Sequence, residues 1–257
     1  MANILDKIIA NKRREVEAAD SLLGTEVAIT TDRVPLSFRQ ALLDSPTGII
    51  AEFKRRSPSK GEIHPLALVD EVVPAYEGAG AAACSVLTDP VYFGGALTDL
   101  INARAHASLP LLRKDFVVSR RQIAEARACG ADAVLLIAAA LTAEEIADFT
   151  GYAHSLGLEV LFEIHNVTEL EKYCPEVDMV GVNNRDLTTF HTDPLLSERV
   201  ARELPADVVK VAESGLTSIA EVEHLRASGF RGFLIGETFM RHDRPGEALS
   251  RFLDGTL

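Results

Sequence analysis

Short runs of apolar, β-prone residues recur along the chain, and each is followed by a polar or glycine-containing turn and a stretch with apolar residues at helical spacing. The segments SRRQIAEARACG, TAEEIADFTGYAHSLG and SIAEVEHLRASG are typical of these stretches, because each closes on a glycine, the usual C-terminal stop of a helix. Eight runs are predicted to be strands: GIIAEFK (48–54), AACSVLT (82–88), LPLLRKDF (109–116), ADAVLLIAA (131–139), LEVLFEIH (158–165), MVGVNN (179–184), DVVKVAES (207–214) and GFLIGE (232–237).

The alternation of strand and helix predicts an α/β fold, with parallel strands covered by helices. Eight strands in a chain of 257 residues point to a closed (β/α)8 TIM barrel. An open doubly wound sheet is the alternative, but it would call for a GxGxxG turn after an early strand, and the sequence has none. We therefore favour the barrel.

Residues 1–47 precede the first strand and belong to no strand–helix unit. Within them, ILDKIIANKRREVEAA predicts an amphipathic helix whose apolar residues share one face and could close one end of the barrel. These residues are Ile4, Leu5, Ile8, Ile9 and Val16. With no low-complexity linker in sight, we expect one domain over residues 1–257, made of this helical extension and a barrel over 48–257.

Composition narrows the range of partners. The formal net charge is −12, which argues against a general nucleic-acid binder or a basic membrane-surface protein. No uninterrupted apolar stretch reaches the length of a membrane span, and the charged N-terminus does not resemble a signal peptide. The three cysteines show no metal-ligand or disulfide spacing, so we expect no zinc site and a cytoplasmic protein. A monomer or weak homo-oligomer is a separate expectation, which the cysteines do not decide.

Five of the predicted strands run apolar and then end on ionisable or amide groups. Because side chains alternate along a strand, the polar groups that share a face with the apolar residues of the barrel interior can be identified. They are Glu52 and Lys54, Lys114, Glu163, Asn183 and Arg185, and Glu213. Barrel enzymes carry their chemistry at the carboxyl ends of strands, and buried charge is costly unless paired. Convergence of five such strand ends therefore predicts an active site.

The last two strands add a weaker signal for an anionic ligand. They end on AESG and LIGET, and small residues after strands seven and eight let backbone N–H groups approach a phosphate. Together with the SPS turn at 57–59, they predict a phosphorylated small molecule as ligand. Arg55, Arg56, Lys60 and Arg113 are candidates only for a cationic field around it, and ordinary solvated surface charge explains each of them equally well.

The histidines show no metal-binding pairing, and no Ser-His-Asp arrangement can be read from the sequence. His165 follows strand five and could reach the rim of the barrel, but an ordinary polar role in a loop is the favoured interpretation.

The ordered motifs resemble those of the indole-3-glycerol phosphate synthases over nearly the whole chain. They are ILDKIIANKRREVE, IIAEFKRRSPSKG, PLLRKDF, EVLFEIHN, GVNNRDL, VAESG and LIGETFM. The resemblance implies a barrel with an extra N-terminal helix that acts without a cofactor. Its substrate would be 1-(2-carboxyphenylamino)-1-deoxyribulose 5-phosphate, which loses CO₂ and water as a ring closes to indole-3-glycerol phosphate.

The resemblance also implies roles for individual residues. Lys114 corresponds to the general acid of ring closure and Glu163 to its supporting carboxylate, while Glu52 and Lys54 serve dehydration and contacts with the substrate carboxylate. Asn183 and Arg185 look like partners of the substrate hydroxyl and carboxylate groups, with Glu213 among them. The implied walls for the anthranilate ring are Phe93, Phe116, Leu135 and Leu187. The implied phosphate positions are Ser57, Ser214, Gly215, Gly236 and Glu237.

Three questions stay open at the level of sequence. Some relatives have Ser where this chain has Glu237, so only a backbone contact is expected there, with the side chain pointing away. Neighbouring cations would lower the pKa of Lys114 and neighbouring carboxylates would raise it, and the sequence does not say which effect wins. A Schiff-base aldolase that uses Lys114 or Lys54, and a non-catalytic barrel that binds a phosphorylated ligand, remain alternatives.

Overall fold

In the computed structural model, which describes residues 3–186, 191–193 and 195–257, all eight predicted strands form and pair in parallel. Each strand neighbours the next in chain order and the first pairs with the last, so the sheet closes without an edge. The strands are β1 (Ile49–Phe53), β2 (Ala83–Leu87), β3 (Leu111–Lys114), β4 (Ala133–Ile137), β5 (Glu159–Ile164), β6 (Met179–Asn183), β7 (Val209–Glu213) and β8 (Phe230–Ile235). The predicted (β/α)8 barrel is confirmed.

Helices surround the barrel, and each of the three predicted helices is followed, two residues after its last residue, by a glycine with positive φ: Gly130, Gly157 and Gly229. None of the helices in the described part of the chain combines the length and apolar character that a membrane crossing requires. The α-helices are α1 (Ile4–Leu23), α2 (Phe38–Asp44), α3 (Val69–Gly78), α4 (Pro90–Phe93), α5 (Leu97–His106), α6 (Arg120–Ala128), α7 (Ala143–Ser155), α8 (Leu196–Ala201), α9 (Ile219–Ala227), α10 (Glu237–Met240) and α11 (Pro245–Leu253).

The residues before β1 form two helices that lie at opposite ends of the barrel. The predicted helix, α1, forms with a capping box on Asn3, and its buried Leu5 and Ile8 line the cavity at the carboxyl ends of the strands. The sequence pattern did not reveal α2. This short helix buries Phe38 and Leu42 completely, and Leu42 packs against Gly232 of β8 at the amino-terminal end of the barrel.

The segment that joins these two helices is anchored to the barrel by one buried carboxylate, Asp132, just before β4. The guanidinium of Arg33 lies 2.8 Å from Oδ1 of Asp132, and the backbone N–H of Leu36 donates to the same oxygen at 2.7 Å. Arg104 and the backbone N–H of Leu111 donate to Oδ2. Because every oxygen of this fully buried group is bonded, its burial is tolerated. The segment between α1 and α2 is thus fixed to the amino-terminal end of the barrel, opposite the mouth that the carboxyl ends of the strands form.

Gly48 offers a test of how closely β1 and β8 approach. Its φ is +63°, and a Cβ there would overlap the carbonyl oxygen of Arg231, whereas Gly61 has a similar φ of +70° with nothing near the Cβ position. We expect Gly61→Ala to cost about 1–2 kcal/mol in the free energy of unfolding, from left-handed strain alone. Gly48→Ala should cost about 3 kcal/mol or more, because backbone must also move. Urea unfolding of both variants measures the difference, and equal losses would contradict the close approach.

Candidate active site

The side chains that end the strands converge on one cavity of ≈ 320 Å³, within the size range of ligand sites. Its polar lining includes every ionisable or amide residue predicted from the strand ends: Glu52, Lys54, Lys114, Glu163, Asn183, Arg185 and Glu213. The apolar residues that precede them fill the barrel below. The two-residue period of the strands therefore located the site correctly.

The ammonium of Lys114 occupies the centre of this group. Its Nζ lies 2.9 Å from Oε2 of Glu213, 3.3 Å from Oε2 of Glu163 and 3.9 Å from Oε2 of Glu52. Burial alone would lower the pKa of Lys114, but the carboxyl groups of Glu213, Glu163 and Glu52 outweigh it and hold the pKa well above its usual range. The balance that the sequence left open is thus decided by the carboxylates.

Glu163 and Glu213 differ in protonation although both are buried beside Lys114. Burial, followed by repulsion from Glu163, raises the pKa of Glu213 to about 8. Burial also penalises the charged form of Glu163, yet Lys114 and His165 hold the pKa of Glu163 well below its usual range. These surroundings therefore favour the ionised form of Glu163 and the protonated form of Glu213. A proton on Glu213 also gives the two carboxyl groups a hydrogen bond to each other.

His165 lies in the loop directly after β5 and does not line the cavity, but it pairs with Glu163, which does. Its Nε2 lies 3.1 Å from Oε1 of Glu163, and its Nδ1 lies 3.7 Å from Oε2 of Glu169. Burial disfavours the imidazolium, but these two carboxylates prevail and raise the pKa of His165 to about 10. Since His165 follows Glu163 by two residues, the strand period already placed both on the same face.

Glu52 and Lys54 form a second ion pair in the same cavity, with 2.7 Å between Oε1 and Nζ. Burial raises the pKa of Glu52, but Lys54 and Lys114 prevail, so the pKa is lowered and the carboxylate stays ionised. A Cβ on Gly236 would overlap Glu52, and a Cβ on Gly181 would overlap Glu213. Glycine at these two positions therefore leaves room for the carboxylates.

The residues predicted as an apolar wall lie together on one side of the cavity. Phe93, Phe116 and Leu135 all line it. The rings of Phe93 and Phe116 have centroids 6.2 Å apart and planes inclined by 36°. Leu187, the fourth predicted member of this wall, lies outside the described residues.

The predicted phosphate positions also line this cavity. Ser57 is buried in the loop after β1, where Arg56–Ser57 pairs with Gly61–Glu62 in a small hairpin. Ser214 and Gly215, directly after β7, have φ values of +66° and +80°. Ser214 is the one non-glycine residue with positive φ in the described part of the chain. Strain of this kind is concentrated at functional sites.

Glu237 departs from its expected orientation. Its side chain was expected to point away from the anion site, but Oε1 lies 3.2 Å from Nζ of Lys60 and Oε2 lies 3.6 Å from the guanidinium of Arg185. The positive charges of Lys60 and Arg185 attract the carboxylate of Glu237. Arg185 also donates to Oγ of Ser59 at 3.3 Å, and its backbone N–H donates to the side chain of Asn183.

Of the residues expected to supply a cationic field, Arg113 is misassigned. It alternates with Lys114 along β3, so its side chain points out of the barrel interior, where it is buried and paired with Asp115 and Glu125. Arg55 binds Asp99 in a bidentate pair and stacks on Phe53.

Within the described ranges, no cluster of three or more histidine, cysteine or carboxylate residues is arranged to hold a metal ion.

Comparison with protein families identifies sequence relatives along nearly the whole chain. A family model described as indole-3-glycerol phosphate synthase matches residues 5–252. A protein of that name from Bacteroides thetaiotaomicron is 50% identical over 256 residues, which covers 98% of both chains. Another from Burkholderia vietnamiensis is 44% identical, over 98% of this chain and 99% of the relative.

Comparison with solved structures finds more distant barrels. A tryptophan synthase alpha-subunit from Pyrococcus furiosus has a TM-score of 0.59 at 16% identity and covers 82% of this chain and 97% of its own. An N-acetylmannosamine-6-phosphate 2-epimerase from Clostridium perfringens has a TM-score of 0.61 at 14% identity, over 88% and 99% of the two chains. At these identities the likeness supports the barrel fold alone.

The ion pairs of His165 make stability depend on pH in a definite direction. Because the pKa of His165 is raised from 6.5 to about 10 in the folded protein, its contribution is complete below pH 6.5 and disappears as pH rises through 10. We expect His165→Gln to lower the free energy of unfolding by about 2–4 kcal/mol at pH 6, and by progressively less up to pH 10. Urea unfolding across this range measures the effect.

His224→Gln is the matched control for that measurement. His224 is exposed and pairs with one carboxylate, Glu198, at 2.7 Å. Exposed pairs contribute little, so this variant should change the free energy of unfolding by no more than about 1 kcal/mol. If the loss in His165→Gln were the same at pH 6 and pH 10, the buried imidazolium would be excluded.

Proposed function

Because the chain belongs to the indole-3-glycerol phosphate synthase family, we propose that the residues of this cavity carry out the reaction of that family. The chain is a lyase of tryptophan biosynthesis. It converts 1-(2-carboxyphenylamino)-1-deoxyribulose 5-phosphate to indole-3-glycerol phosphate with loss of CO₂ and water. One proton is taken up overall, because the carboxylate charge leaves as neutral CO₂. The site must therefore supply two protons to the ketone oxygen, which leaves as water, and remove one proton from the neighbouring carbon.

Lys114 is the acid of ring closure. As the ring carbon attacks the ketone, negative charge develops on the ketone oxygen, and an alkoxide is a much stronger base than an amine. An ammonium with a raised pKa can still protonate it, and before that point the ammonium stabilises the growing charge. Glu163 and Glu213 orient Nζ of Lys114 from two sides, at 3.3 and 2.9 Å. These carboxyl groups thus make Lys114 a weaker acid, but they fix the position of its Nζ and keep it positively charged.

CO₂ then leaves from the ring carbon, which restores the aromatic ring without a further proton. The second stage is dehydration, and the pair of Glu52 and Lys54 is suited to it. The ammonium of Lys54 protonates the departing hydroxyl group, and the ionised Glu52 accepts the proton that leaves the neighbouring carbon. An acid and a base 2.7 Å apart can act on adjacent atoms of one substrate.

Binding groups flank this chemistry. Phe93, Phe116 and Leu135 accommodate the anthranilate ring, and Arg185 with Lys54 supplies positive charge for its carboxylate. Asn183 contacts a hydroxyl group of the sugar chain. Phosphate is bound by Ser57, Ser214 and backbone N–H groups at Gly215, Gly236 and Glu237, and it competes with the carboxylate of Glu237 for Lys60.

The protonation of Lys114 disfavours the alternative of a Schiff-base aldolase. A lysine forms a Schiff base only as the neutral amine, which requires a lowered pKa. Lys114 is surrounded by carboxyl groups that raise its pKa instead. We therefore expect no substrate adduct after treatment with borohydride.

Removal of the ammonium of Lys114 tests its assignment as the acid of ring closure. In Lys114→Met, we expect kcat to fall by about 10²- to 10⁴-fold, while the substrate still binds through its phosphate and ring. The growth of indole fluorescence after addition of 1-(2-carboxyphenylamino)-1-deoxyribulose 5-phosphate to EDTA-treated enzyme measures turnover. In Lys60→Met, which removes an exposed cation at the rim, KM should rise and kcat should stay unchanged. Near-normal turnover by Lys114→Met would rule out its role as the acid.

A further inference from the structure

A second buried cluster of charges lies beside the cavity and centres on Lys12 of α1. Its Nζ lies 2.9 Å from Oδ2 of Asp89, 3.0 Å from Oδ1 of Asp115 and 2.9 Å from Oε2 of Glu15. Lys12 is 4% exposed, and Asp89 and Asp115 are buried as deeply. A buried lysine is costly, so three ion pairs around one ammonium at the carboxyl end of the barrel require an explanation.

Each buried partner of Lys12 binds the backbone of a segment that carries one aromatic residue of the cavity wall. Asp89 caps α4 by accepting the backbone N–H of Tyr92 at 2.7 Å, and Phe93 is the last residue of that helix. Asp115 accepts the backbone N–H of Phe116 at 2.8 Å. A single ammonium therefore connects the two backbone segments that carry Phe93 and Phe116.

The same face of α1 covers the cavity. Leu5, Ile8 and Lys12 follow one another at spacings of three and four, so they lie along one side of the helix. Leu5 and Ile8 line the cavity with Ile4, and Lys12 is placed one turn further on. The ion pairs of Lys12 thus also fix the height and rotation of this apolar cover.

Asp89 and Asp115 differ in the other groups that bind them. Asp115 has a second cation, Arg113 at 3.2 Å, and accepts a hydrogen bond from Thr88 at 2.7 Å. Asp89, among the residues that the structure describes, pairs with no cation other than Lys12. Loss of the ammonium would therefore release α4 and Phe93, whereas Asp115 and the neighbouring Lys114 would keep their anchors.

We propose that Lys12 is a positioning residue for the aromatic ring of the substrate: it sets the separation of Phe93 and Phe116 and docks the apolar face of α1 over them. The inference rests on the proposed function, since that ring is the anthranilate of the synthase substrate. Burial opposes the charge on Lys12, but Asp115 and Asp89 outweigh it and raise its pKa, so Lys12 is charged throughout the neutral range. We call the connection of Lys12 with Asp89 and Asp115 the clamp.

The clamp predicts a selective defect in Lys12→Met. KM for 1-(2-carboxyphenylamino)-1-deoxyribulose 5-phosphate should rise by about 10- to 100-fold, because the ring loses its positioned wall, while kcat stays within about threefold. The inhibition constant of D-ribulose 5-phosphate, a ringless competitor, should not change. Lys12→Arg should recover part of the lost affinity. Lys7→Met makes the same substitution at an exposed site on the same helix and should behave as wild type.

Two results would overturn the clamp: an unchanged KM in Lys12→Met, or an equal loss of affinity for the substrate and for the ringless competitor, which would indicate general support of the fold. If Lys12→Met does not fold, the variant Asp89→Asn tests the clamp instead. Asparagine retains the cap on α4 and loses only the ion pair, so the same ring-selective rise in KM is expected and a normal KM overturns the clamp. Absence of turnover in the wild type is a distinct result, because it would refute the proposed function itself.

Discussion

The mouth of this barrel is organised by the need to balance charge among buried side chains. Glu52, Glu163 and Glu213 are almost fully buried, and Lys54, Lys114 and His165 are packed among them. No member of such a group has a protonation state of its own. Lys114 and His165 favour the ionised form of Glu163, the charge on Glu163 favours the protonated form of Glu213, and the negative charge that the carboxyl groups carry keeps Lys114 cationic. The parallel closed sheet makes this possible, because it brings the carboxyl ends of all its strands to one rim.

The residues before β1 show how a barrel can be closed differently at its two ends. At the amino-terminal end, α2 fills the interior with Leu42, and the interactions are those of an ordinary core. At the carboxyl end, α1 contributes apolar residues to a cavity that must also admit a charged ligand. Lys12, which does not line the cavity, attaches the helix through ion pairs to two residues of the cavity wall, Asp89 and Asp115, and leaves the apolar face of α1 free to meet the ligand.

Sequence reasoning succeeded wherever the determining rule was local. The strand period located Glu52, Lys114, Glu163 and Glu213, and the same rule, applied strictly, would also have placed Arg113 outside the barrel. It failed where the determining partner is remote in sequence. Nothing in α1 indicates that Lys12 meets Asp89 and Asp115, and the orientation of Glu237 depends on Lys60 and Arg185 from two other loops. The aromatic wall from α4 came from family resemblance alone, since no strand period applies to that helix.

The attachment of α1 at its far end determines what happens when its inner contacts break. Gly24, with φ +77°, ends the helix, and Arg121 of α6 binds both Asp20 and the carbonyl oxygen of Gly24. The chain is fixed again at Arg33, and the intervening residues can span roughly 15 Å as a flexible tether. A detached α1 would therefore remain near the mouth at an effective concentration on the order of millimolar. Its return is intramolecular and independent of protein concentration, so dilution does not separate the helix from the mouth.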